Sequence, residues 1–305
     1  MKETDDRSQP IRGLMKRFIP ILGLFLVLPA GCVPRFDTIF FPCGDNLKPD
    51  SSHVQRLLST KDCAGCVLDK ADLKEANLAG ANLSGARLRA THLERSNLRQ
   101  ADLSRAEFTF YRNTNSIYTF RDCPEDPRVG ANLTGADLSG AKLISADLGS
   151  VNLNHAVLSR ADLRKSRLSS AKLNGSQLDA ANLSQSSFLG GQMHKANLRG
   201  ANLTGVSFVF SDLFQADLRQ ANLAKAEIRR TNLTQANLEK ANLKEADLEG
   251  ANLEESNLTQ ANLEKANLEE ANLGGANLKG ANLKGVNLKN AKLRGAIMPN
   301  GDVHP

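Results

Sequence analysis

Residues 261–285 read ANLEKANLEEANLGGANLKGANLKG, five successive five-residue units, and this stretch decides the fold. Leu recurs at every third place of the unit (Leu263, Leu268, Leu273, Leu278, Leu283), Ala stands two residues before each, and Asn lies between them. A period of five suits neither regular element. On an α-helix, five residues advance about 500°, so successive Leu side chains step by roughly 140° and scatter over every face. On a straight strand an odd period sends alternate Leu residues to opposite faces. The Asn and Gly content also opposes a helix, and the Ala content opposes an ordinary strand. One arrangement keeps every Leu inside: the chain turns a corner every five residues, with Leu and the preceding Ala inward and the other three residues outward.

Working outward, the period runs from Leu68 to Phe108, nine units, and from Leu133 to Met298, thirty-four units. The composition agrees: Trp is absent, aromatics make up 5% of the chain, and Leu with Ala dominates the apolar content, as a repetitive core of two side-chain sizes requires. Most inward positions are Leu. The bulkier or branched exceptions Phe108, Phe188, Phe208 and Ile228 are separated by multiples of twenty, which predicts four five-residue sides per coil and one shared column. Coils would stack about 4.8 Å apart. The outward Asn residues are expected to bond backbone groups at the corners rather than to form a site.

The sustained A(N/D)LXX register, over about 215 of 305 residues, resembles the pentapeptide-repeat family. The resemblance implies an all-β fold, a right-handed quadrilateral β-helix, with no enzymatic activity. The lead-in Leu57-Leu58-Ser59-Thr60-Lys61-Asp62-Cys63-Ala64-Gly65-Cys66 is similar to that of many cyanobacterial members. The family's quinolone-resistance members resemble duplex DNA in shape and charge and bind DNA gyrase. That role needs a cytosolic, broadly acidic rod, so it is the alternative here.

The organisation follows: a signal peptide or membrane-targeting segment over 1–31, a linker and N-terminal capping helix over 32–65, repeats over 66–108, an inserted loop over 109–130, repeats over 131–298 and a tail over 299–305. The helix is expected near Ser51–Leu58, N-capped by Asp50 or a Ser, with Leu57 and Leu58 covering the first coil. Pro299-Asn300-Gly301 stops the period with no substantial cap after it, leaving the C-terminal edge as a contact surface. Forced into register, residues 109–130 would bury Tyr111, Arg121, Asp126 and Arg128, so they read as an excursion from one corner that preserves the phase. Such a loop is either a binding element on a rigid scaffold or a tolerated insertion.

Lys16 and Arg17 precede the apolar run Phe18–Leu28, which is too short to cross a bilayer of roughly 30 Å. Leu28-Pro29-Ala30-Gly31-Cys32 resembles a lipobox, making Cys32 a lipidation candidate, and Met15 would open a compact signal peptide. The expectation is an exported, membrane-associated protein on the periplasmic or thylakoid-lumen side; an uncleaved hydrophobic anchor is the other reading. An exported compartment permits disulfides, for which Cys43, Cys63, Cys66 and Cys123 are candidates. The Cys63–Cys66 spacing also suits zinc or a redox dithiol, but no second ligand pair lies nearby, which favours a buried or disulfide-closed cap.

No catalytic constellation appears, and no cofactor, metal or small-molecule substrate is expected. His92, His155 and His194 fall at scattered outward positions. Glu254-Glu255 and Glu269-Glu270 read as a solvated face with ordinary pKa values. Net charge is +6 but segregated: residues 236–270 hold nine acids and three lysines, and residues 271–295 hold five bases and no acid. The bases form no stripe interleaved with aromatics, so no nucleic-acid partner is expected. Leu189, Val209, Phe210 and Phe214 form an apolar outward group, a candidate patch for an unknown protein partner. The expected function is a non-catalytic structural or interaction scaffold; a spacer with no specific partner is a further alternative.

Overall fold

The computed structural model describes residues 48–109 and 130–305. One helix, α1 (Ser51–Thr60), precedes a stack of coils held by parallel bridges. In the parallel bridges the bridging residue is the one before the inward Leu or the residue that replaces it, and outside the interruption partners lie twenty residues apart, as in Asn77↔Asn97, Asn222↔Asn242 and Asn242↔Asn262. Four interleaved ladders result, one per side of a twenty-residue coil. Each side is too short for a conventional strand and contributes one bridge per coil. Each ladder passes through eleven described residues, for example from Asp62 through Asn82 and Asp102 to Asn282, so the stack is on the order of 50 Å long.

The unit Ala241–Glu245 shows why five residues suffice. Asn242 N–H donates to Ala221 O in the coil below at 2.9 Å, and Leu243 N–H to Asn262 O in the coil above at 2.7 Å. Glu245 N–H reaches Glu264 O above at 2.9 Å, and Ala241 N–H closes the corner on Leu238 O at 3.0 Å. The fifth amide, Lys244 N–H, is taken by Asn242 Oδ1 at 3.3 Å. Every backbone donor is satisfied, four by backbone and one by the Asn side chain. The corner also requires a left-handed fifth residue: Glu245 has φ 58°, Lys265 59° and Glu270 60°. Gly fills many of these positions, and no fifth position among the described units is Val, Ile, Thr or Pro, the residues that conformation strains most.

Inward Leu and Ala residues are almost wholly buried along the stack. Where Ser or Thr replaces Ala, its hydroxyl finds a carbonyl: Ser166 Oγ donates to Leu163 O at 2.6 Å and Thr231 Oγ1 to Phe208 O at 2.7 Å. Phe188 and Phe208 stack with ring centroids 5.1 Å apart, and Phe108 and Ile228 share their column. Met193 fills an inward site on the next side, so substitutions for Leu are not confined to one column.

The interruption preserves phase. Bridges that span it join residues forty rather than twenty apart, as in His92↔Asn132 and Glu107↔Asp147. Ala131 N–H still bonds Phe108 O at 3.1 Å, as at any other corner.

At the N-terminal end Asp50 caps α1, its Oδ1 accepting from Ser52 N–H at 2.9 Å and His53 N–H at 3.3 Å. Leu57 is fully buried, but Leu58 is 50% exposed, so only the first of the two leucines covers the coil; its neighbour lies on the outer side of the helix. His53 Nδ1 accepts the Val67 amide at 3.2 Å, capping a donor that has no coil below it. Cys63 stands at a Leu site and Cys66 at an Ala site, both buried, and their sulfurs are bonded to each other.

The C-terminal end differs from the sequence expectation of an uncapped edge. The chain turns at Pro299–Gly301 and comes back antiparallel, with Ile297 bridging Val303 and His304 N–H donating to Ala296 O at 2.8 Å. A Gly at 301, φ 96°, makes the reversal feasible. One of the four sides is thereby closed.

Candidate functional site

The four apolar residues singled out in the sequence fall at the junction of two adjacent sides. Gly190 N–H donates to Val209 O at 3.1 Å, which sets Leu189 and Val209 at the same register in successive coils. Leu189 is 47% exposed and Phe210 57%, while Val209 and Phe214 are half-buried. Phe210 occupies the left-handed fifth position (φ 58°), which throws its ring out from the corner.

Polar groups that sequence reading missed frame this patch. The Arg230 guanidinium sits 5.9 Å from the Phe210 ring centroid, one coil above. His194 meets Phe214 edge-on at 6.1 Å, and its Nε2 lies 2.6 Å from Asp212 Oδ2. Arg229 Nε is paired with Asp247 Oδ2 at 2.6 Å. The twenty-residue register was the signal that would have found them, since 194 and 214, and 210 and 230, differ by one coil. An apolar centre with a charged and aromatic rim has the anatomy of a modest protein-binding surface.

Several ionisable groups away from the patch pair with one another along the scaffold. Arg219 donates to Asp217 at 2.6 Å and holds that carboxyl below its ordinary range. Asp147 is shifted the other way, chiefly by burial, against the partial compensation of Arg167 at 3.4 Å. Glu269 departs from the ordinary value expected for a solvated face. Lys289, 2.6 Å away in the next coil, and Asn287 donate to it and lower its pKa. The acidic band is thus tied to its surroundings by pairs between coils, including Lys244–Glu264 at 3.3 Å. Among the described residues no group of three or more His, Cys, Asp or Glu is placed to hold a metal ion, and no helix is long and apolar enough to cross a membrane. The lipidation candidate Cys32, the cysteines Cys43 and Cys123, the targeting segment and residues 110–129 lie outside the described residues.

Stacked twenty-residue coils with a Leu and Ala interior define a β-solenoid repeat protein. Eight copies of the family model for pentapeptide repeats match, covering 62–110 and 129–298, so the chain belongs to the pentapeptide-repeat proteins, which fold as right-handed β-helices. Members are generally non-enzymatic structural or interaction proteins, and no catalytic family is indicated. Among solved structures, the chain is similar to HetL, a pentapeptide repeat protein involved in heterocyst differentiation regulation in the cyanobacterium Nostoc sp. strain PCC 7120. The identity is 28% and the TM-score 0.60, covering 84% of this chain and 100% of HetL. A pentapeptide repeat protein of the Arabidopsis thaliana thylakoid lumen matches at 30% identity with a TM-score of 0.14, over 38% of this chain and 67% of that one. The plasmid-mediated fluoroquinolone resistance protein QnrB1 matches at 20% identity with a TM-score of 0.27, over 53% and 88%. No curated protein matches.

Proposed function

We propose that this protein is a rigid four-sided scaffold, displayed outside the cytoplasm at a membrane, that binds a protein partner through the Leu189–Phe214 patch. The observation that carries the reading is the outward Phe210, 57% exposed beside Leu189 at 47% on a scaffold whose other large apolar side chains are nearly all inward. Exposed aromatic clusters on rigid surfaces are favoured sites of association. The similarity to HetL, a protein involved in regulation, agrees with an interaction role. The basic residues Lys16 and Arg17, the apolar run to Leu28 and the lipobox-like Leu28–Cys32 support export, with lipid on Cys32 as the membrane attachment.

The patch is tested by crosslinking and co-purification from membranes of the source cells, comparing the natural protein with Phe210→Ser/Phe214→Ser. Loss of one defined partner with unchanged melting supports the reading; an identical set of partners would leave a spacer role. Mass spectrometry of the mature N-terminus tests export, and an unprocessed cytosolic protein would remove that half.

A further inference from the structure

The far end of the solenoid carries a second feature, independent of the patch. In the coil below, the amides of Leu263, Leu268 and Leu273 donate upward to Asn282, Asn287 and Lys292 at 2.7–2.9 Å. The equivalent amides of Leu283, Leu288 and Leu293 find no backbone acceptor among the described residues. Their side chains are partly exposed, unlike the buried Leu residues beneath them. Three sides therefore present donors, the carbonyls of Ala281, Val286 and Ala291, and an apolar floor. The fourth side is closed by the returning segment through the Ile297–Val303 bridge.

On the three open sides the charge has one sign, and the one nearby acid, Asp302, lies on the returning segment over the fourth side. Lys284, Lys292 and Arg294 are exposed, Lys289 is paired with Glu269 below, and no Asp or Glu occurs from 271 to 301. A second copy docking here would set these cations against their own counterparts, an arrangement that disfavours association. An edge strand that is basic and apolar instead fits an extended segment bearing carboxylates, added by main-chain pairing.

We infer that the C-terminal coil edge is a docking site for an acidic extended segment of a partner protein, which pairs with the Leu283, Leu288 and Leu293 sides and sets its carboxylates against Lys284, Lys292 and Arg294. This goes beyond the patch reading and does not rest on it. The probe is a synthetic peptide of sequence ANLKEADLEGANLEESNLTQ, an acidic pentapeptide-period segment identical to residues 241–260, and its control carries Gln and Asn for Glu and Asp. Titration against the full chain by fluorescence anisotropy should show the acidic peptide binding at least tenfold tighter than the control and weakening with salt. The triple variant Lys284→Glu/Lys292→Glu/Arg294→Glu, changed only at exposed positions and checked by its melting curve, should lose at least tenfold, whereas Phe210→Ser/Phe214→Ser should bind as the natural protein does. Equal binding of both peptides, binding unaffected by charge reversal, or no binding at millimolar peptide would overturn the inference. So would a dimer in sedimentation that dissociates on Leu288→Asp, since the edge would then belong to a second copy.

Discussion

The side-chain nitrogen of Asn242 lies 2.9 Å from the side-chain oxygen of Asn222, and Asn262 repeats the relation onto Asn242 at 3.2 Å. Each Asn thus does two jobs: its oxygen caps the corner amide of its own coil and receives the amide of the next. Asn242→Ala leaves Lys244 N–H without its acceptor and breaks both rungs, for a cost of about 1–3 kcal/mol. Asn242→Asp keeps the acceptor and loses one donor, so it should cost less than half as much in urea unfolding. Equal losses for the two variants would mean that the ladder, not the corner, is the stabilising element.

Burial predicts a sharp contrast between neighbours. Leu243 is fully buried and its amide is bonded to Asn262 O in the coil above, so Leu243→Ala should cost about 2–5 kcal/mol and Leu243→Asp should abolish folding. Lys244, next in sequence, is outward and only ion-paired to Glu264, so Lys244→Glu should cost no more than about 1 kcal/mol. Circular dichroism melts of the three variants separate these outcomes.

Leu243 and Lys244 also show what was legible in the sequence. Inward and outward positions could be read because a chain that turns every five residues has one way to bury its Leu. The coil length could be read from the spacing of Phe188 and Phe208, which indeed touch. The partial C-terminal cap could not, because Ile297–Val303 pairing depends on a reversal at Gly301 that leaves no periodic trace. The exposure of Leu58 was missed for a related reason: adjacent helical residues point about 100° apart, and only one can face the coil. The neighbours of the apolar patch were hidden because Arg230 and His194 reach it across coils, by a register the reading applied only to apolar residues.

The left-handed fifth position makes a backbone prediction. Lys265 sits at φ 59°, where a side chain is disfavoured and a branched one more so. Lys265→Gly should raise stability by up to about 1 kcal/mol, and Lys265→Val should lower it by about 1–2 kcal/mol. Both residues are uncharged, so an equal change in the two would point to the lost lysine charge and away from backbone strain.

Asp147 predicts a pH-dependent gain. Burial, first among the influences on it, raises its pKa above the ordinary 3.8, so the folded state holds its proton more tightly than the unfolded chain does. The carboxyl therefore costs stability once pH rises through the raised folded value, and costs nothing below 3.8. Asp147→Asn keeps an acceptor for Gly149 N–H, now 3.3 Å from Oδ1, and removes the charge. The variant should melt higher than the natural protein at pH 7, with the difference vanishing at about pH 3. A variant that melts lower at pH 7 would show that the Arg167 pair outweighs the burial.

The inserted segment yields the most direct test of the coil geometry. Removing residues 110–129 joins Thr109 to Gly130 and writes Phe108-Thr109-Gly130-Ala131, the same pattern as Leu133-Thr134-Gly135-Ala136. Gly would then stand at the left-handed position, as Gly135 does at φ 66°, and the Phe108–Ala131 corner bond is already formed at 3.1 Å. The ladders flanking the cut, such as His92↔Asn132, need no change of register. Shortening a loop by twenty residues relieves closure entropy of roughly 1–2 kcal/mol, so the excised protein should fold and unfold at slightly higher denaturant than the natural one. If excision instead lost more than about 2 kcal/mol, the segment would have to contribute buried contacts to the stack, since closure entropy alone has the opposite sign.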